Sequence, residues 1–128
     1  MTELQKLKKL KKVAGACVVL AFCYASKQNE ETVLRLCTLH GFEPGRGMTD
    51  IEYLQCAKAL GLKLKKVSFE PMELKKFIKL HSKGLYIVVT YDHMLVLDNG
   101  LIIDPREGGE TGRTRRRIIN AWKVTQKA

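Results

Sequence analysis

Apolar residues return at three- and four-residue intervals through Leu4, Leu7, Leu10, Ala14, Cys17, Val18 and Ala21, the period of one helix face. The pattern predicts helix over residues 3–26, either continuous or broken in two at Gly15. Asn29 is placed to cap a second helix carrying Val33, Leu34 and Cys37, with Gly41 as its stop, and GFEPGRG then reads as a loop. Thr49 followed by Glu52 makes a capping box for a third helix, whose apolar stripe Ile51, Leu54, Ala57 and Leu60 ends at Gly61. Leu62 to Phe69 alternates apolar and basic residues as a half-buried strand does, and Pro71 opens a helix over residues 71–81 carrying Leu74, Phe77, Ile78 and Leu80.

From Leu85 the period falls to two. LYIVVTY, HMLVL and LIID read as strands, and Asn99-Gly100 between apolar runs predicts a tight hairpin, because both residues tolerate positive φ. Residues 105–114 read as a Gly-rich loop and RRIINAWKVT as a last strand or short helix. Helices followed by antiparallel strands imply an α+β fold, with N-terminal helices packed on a small sheet. One domain is expected over residues 1–128, helical to about residue 61 and sheet-forming from about 62 to 125.

Length and composition narrow the picture. A chain of 128 residues, 45% hydrophobic, can bury one core and is short for two domains. Its longest apolar run, Val13 to Tyr24, falls well short of the roughly 20 residues that cross a bilayer. No transmembrane segment is therefore expected. The lysines before that run give it the outline of a secretory signal, without a convincing small-residue cleavage site. Cys17, Cys23, Cys37 and Cys56 form no CxxC pair and three lie in apolar helical patterns, which points to reduced thiols and a cytoplasmic setting. The net charge of +10 is concentrated at Lys6, Lys8, Lys9, Lys11 and Lys12 and again at Arg106, Arg113, Arg115, Arg116 and Arg117. Such patches either keep a small protein solvated or meet a phosphate backbone, an anionic membrane or an acidic protein.

The residues offer one catalytic constellation. A cysteine nucleophile needs a base, and the base needs a group to orient it. His93 opens a strand and Asp104 closes the next strand of the same hairpin, so pairing can bring them together, with Asp104 fixing the imidazole tautomer. Cys17 supplies the thiol. If Gly15 breaks the first segment, Cys17 opens a helix whose dipole favours the thiolate; in a continuous helix it is a small buried hydrophobe.

The stretch GMTDIEYLQCAKALGLKLKKV, a helix, and then LYIVVTYDHMLVLDNGLIIDPREGG together resemble the bacteriocin-processing leader peptidases and related papain-like cysteine peptidases over about residues 29–109. In that family a helix ending AxxLGL precedes a strand, and a His-containing strand precedes a hairpin ending in Asp-Pro. The resemblance implies a papain-like fold, hydrolysis of a peptide bond without a cofactor, and roles in the triad for His93 and Asp104. The front third departs from the pattern. Cys17 is followed by Val18 and Val19 rather than Gly-Pro, the sixth residue before it is Lys11 rather than glutamine, Gln5 lies too far upstream, and ungapped counting puts the nucleophile position near Lys12.

A papain-like domain without a nucleophile would keep its cleft as a binding module for a protein partner, steered by the basic ends. Nucleic acid is a further partner class, through Lys8, Lys9, Lys12, Arg113, Arg115, Arg116 and Arg117, although Trp122 is the only aromatic near the arginines. Cys37 and His40 have the spacing of half a zinc site, but no second pair follows, and GFEPGRG lacks the Lys-Ser/Thr ending of a phosphate loop. No metal and no cofactor are expected.

Overall fold

The computed structural model describes residues 16–91, 93–103 and 116–126. Three helices come first: α1 (Cys17–Ser26), α2 (Glu30–Leu39) and α3 (Asp50–Ala59). Strand β1 (Leu62–Lys66), helix α4 (Leu74–Leu80) and strands β2 (Leu85–Thr90), β3 (His93–Asp98), β4 (Leu101–Ile103) and β5 (Ile118–Gln126) follow. The strands form one antiparallel sheet in the order β1-β5-β2-β3-β4. The chain is α+β, and among the described residues no helix is long and apolar enough to cross a membrane.

Local chemistry accounts for several boundaries. Asn29 accepts from the Thr32 N–H at 2.8 Å and caps α2, and His40 and Gly41, at φ +108°, end it. The capping box on α3 is complete, with Thr49 accepting from the Glu52 N–H and Glu52 from the Thr49 N–H. Asn99 and Gly100, at φ 49° and 84°, make the turn between β3 and β4. Asn99 also accepts from the Gly84 N–H and donates its own N–H to the Gly84 carbonyl, tying the start of β2 to this turn.

Other boundaries differ from expectation for tertiary reasons. Helix α4 begins at Leu74 rather than Pro71, because the segment before it is taken up by the sheet. Leu74 N–H donates to the Arg116 carbonyl and Ile118 N–H to the Met72 carbonyl, which makes Glu73 and Arg117 a backbone bridge. Strand β1 ends at Lys66 rather than Phe69, with one further bond from Val67 N–H to the Ala121 carbonyl. The segment Ile118–Gln126 is a strand, which settles the choice between strand and helix. Helix α1 begins at Cys17, after Ala16 at φ −71° and ψ −4°. The expected helical residues 3–15 lie outside the described residues.

Alternation along the strands divides the core in two. Ile87 and Val96, opposed on β2 and β3, face α1, α2 and α3 and pack with Val19, Phe22, Val33 and Tyr53. Tyr86, Val88, Leu95 and Leu97 face the other way, onto Leu74 and Phe77 of α4. Helix α1 is apolar nearly all round, as a helix sandwiched between a sheet and other helices must be. Cys17, Val18, Val19, Leu20, Ala21, Phe22 and Ala25 are all buried.

Candidate functional site

Helix α1 lies along β3 and runs in the same direction. At its C-terminal end the Tyr24 hydroxyl donates to Asp98 Oδ2 at 2.7 Å, which fixes the helix against the end of the strand. That hydrogen bond, with burial and the carboxylate charge adding to it, holds the Tyr24 hydroxyl above the ordinary tyrosine range. Tyr24 to Cys17 spans about 10 Å of helix and Asp98 to His93 about 16 Å of strand, so the opposite ends also meet. There Cys17 and His93 line one cavity of about 150 Å3. The Asp98 carboxylate stands at the far end of β3 from His93.

Cys17 is the first residue of α1, with no acidic side chain in the first turn, and is 8% exposed. Ala16, at φ −71° and ψ −4°, precedes it, and no side-chain hydrogen bond caps this end of α1 among the described residues. His93 is the first residue of β3 and is 9% exposed. The other cysteines do not line the cavity. Cys37 and Cys56 are fully buried, their sulfurs 3.4 Å apart. The hydrogen bond shared with Cys56, followed by burial, pushes the Cys37 thiol far up, so it is held protonated and inert. Cys37 thus faces another thiol across the core. His81 packs against Phe77 and Tyr86 on the opposite face of the sheet.

Asp104 lies outside the described residues, as do Lys8, Lys9, Lys12, Arg113 and Arg115. Of the basic residues expected to bind a partner, Arg116 and Arg117 are described, immediately before β5.

The remaining walls come from three places that the sequence does not mark as a group. Arg46, Gly47 and Met48 of the GFEPGRG loop and its flank form one wall. The loop is folded by a bridge between Glu43 and Gly47, and Arg46 is held by the Gly41 carbonyl, by Glu52 at 3.1 Å and by Glu43 at 3.4 Å. Asp50 and Tyr53 of α3 form a second wall, where Asp50 accepts from the Asn120 amide at 3.4 Å and the Tyr53 hydroxyl from the Trp122 indole at 3.3 Å. Val89 and Thr90 close the third, at the end of β2 where the β2–β5 register shifts by a bulge. Thr90 is 1% exposed, and its hydroxyl has no hydrogen-bond partner among the described residues.

Burial, the largest effect on Tyr53, pushes its hydroxyl up to about 12. A folded value raised above the unfolded one near 10 means that the stabilisation is complete below pH 10 and is lost as pH rises toward 12. An alkaline ultraviolet titration should therefore show a phenol ionising about two pH units above a free tyrosine, absent from Tyr53→Phe; persistence of that step in the variant would place it elsewhere.

No protein-family model, no curated protein and no solved structure matches the chain.

Proposed function

We propose that the chain is a papain-like cysteine peptidase in which Cys17 is the nucleophile, His93 the general base and acid, and Asp104 the residue that orients the imidazole. The observation that carries this reading is the shared cavity: of four cysteines and three histidines, only Cys17 and His93 line it. The pairing of a helix N-terminus with a strand start is the arrangement that thiol chemistry requires, since the helix end favours the thiolate and the strand holds the imidazole still.

In the proposed reaction His93 takes the Cys17 proton, and the sulfur attacks the scissile carbonyl carbon. The resulting oxyanion sits by the first N–H groups of α1, which stabilise the charge as it develops. His93 then gives its proton to the leaving amine as the C–N bond breaks, leaving a thioester that water hydrolyses with His93 again as base. A cavity of about 150 Å3 admits a peptide backbone with small side chains, so glycine or alanine is favoured next to the cleaved bond. Incubating the protein with Gly-Gly-containing peptides and reading the products by mass spectrometry tests this. Discrete cleavage stopped by prior iodoacetamide treatment supports the peptidase; intact peptides after prolonged incubation oppose it.

A second reading is favoured by Val18 and Val19, which follow Cys17 where the family carries a glycine-proline turn. In that reading the same cavity holds a protein partner's peptide without cutting it.

A further inference from the structure

A second and larger cavity, about 370 Å3, opens beside α4. Lys75, Lys76 and Lys79 line it, brought to one side of the helix by their spacing, and Arg117, immediately before β5, lines it with them. All four are exposed, and none is held in an ion pair within the described residues. Glu73 is the only acidic residue of the lining among the described residues. The position of Arg117 is built into the fold, because the backbone bridge with Glu73 and the bonds from Leu74 and Ile118 fasten its segment to the approach of α4. Four cations converging on one concavity with a single carboxylate among the described lining raise the local positive potential more than the same charges spread over a surface.

We propose that this cavity is a docking site for an acidic peptide segment, with glutamate or aspartate side chains reaching the lysines and Arg117. Its volume lies within the roughly 300–1,000 Å3 of ligand-sized pockets. A nucleic-acid strand calls instead for a longer basic track with aromatic rings for stacking, and among the described residues no aromatic side chain lines this cavity. The buried Met72 beside the cations gives the segment an apolar contact as well as a charged one. Ile118 is opposed to Thr90 across the β5–β2 pair, so Arg117 stands at the same end of the sheet as the cavity of Cys17 and His93. The inference goes beyond the peptidase reading and does not depend on Cys17 as a nucleophile.

Fluorescence anisotropy with a fluorescein-labelled peptide bearing four consecutive glutamates tests it, beside a Gly-Ser peptide of equal length and an oligothymidylate. The glutamate peptide should bind, the Gly-Ser peptide should not, and affinity should fall by about tenfold or more in Lys75→Glu/Lys79→Glu and on raising salt from 50 to 300 mM, where exposed charges are screened. Lys75→Gln/Lys79→Gln should show a smaller loss of the same sign, and circular dichroism should show both variants folded, since the substituted side chains are exposed. Equal affinity in the wild type and both folded variants would overturn the proposal. So would tighter binding of the oligothymidylate, lost in the same variants, which would assign the cavity to a phosphate backbone.

Discussion

Replacing Cys17 with alanine is expected to lower the rate of hydrolysis of a Gly-Gly-containing peptide by about 10^3-fold or more while leaving the protein folded. The size follows from the proposed chemistry, in which without the sulfur there is no thioester intermediate, and a side chain ending at a methyl group gives His93 nothing to deprotonate. His93→Ala should cost a comparable factor, and the double variant little more than either single one, since a nucleophile and its base act as a unit. The structural cost of Cys17→Ala should be only about 1 kcal/mol, the loss of one small buried group. Retained hydrolysis in Cys17→Ala would remove this residue from the mechanism.

Phe22→Ala should destabilise the protein by about 3–5 kcal/mol, the range for truncating a fully buried aromatic side chain. Phe22 is 0% exposed on the central helix, and its ring meets Tyr53 edge-on at 6.5 Å between centroids, so truncation removes contacts on both α1 and α3. A domain whose total stability is about 5–15 kcal/mol would lose a large fraction of it. Because Phe22 lies on the helix that presents Cys17 and touches the tyrosine that lines the cavity, the variant should also lose activity before it unfolds. Chemical denaturation measures the first effect; a loss below about 1 kcal/mol would mean that α1 is not packed as described.

The parts of the fold governed by neighbouring residues were legible in the sequence. Thr49 and Glu52 announce the start of α3, Asn29 that of α2, and Asn99-Gly100 the β3–β4 turn, because in each case the bonding partners lie within a few positions. The start of α4 was not legible. Pro71 is a good first residue for a helix, but Met72 is engaged by Ile118 of β5 and Leu74 by Arg116 just before it, more than forty positions later in the chain. The start of α1 was ambiguous for a related reason: the leucine period before Gly15 continues into Cys17 and Val18, and nothing within that stretch states where the helix begins.

The candidate site divides in the same way. Cys17 and His93 could be singled out because thiols and imidazoles are few and their chemistry is specific. Arg46, Asp50, Tyr53 and Thr90 could not, because each has an ordinary local role: a loop cation, the first residue of a helix, a core aromatic, the end of a strand. Only packing α1 and α3 against the end of the β2–β3 hairpin makes them neighbours. The basic cavity was half legible, since Arg117 belongs to an evident charge cluster, whereas the lysines of α4 read as a solvated helix face until β5 is placed beside them.

The central claim is that Cys17 is activated by His93, and the rate at which each cysteine reacts with iodoacetamide in the native protein at neutral pH tests it most directly. Mass spectrometry of the labelled peptides should show Cys17 modified ahead of Cys23, Cys37 and Cys56 in the wild type, with that preference lost in His93→Ala. Modification of Cys17 only after denaturation would contradict the account and leave the cavity as a place to bind.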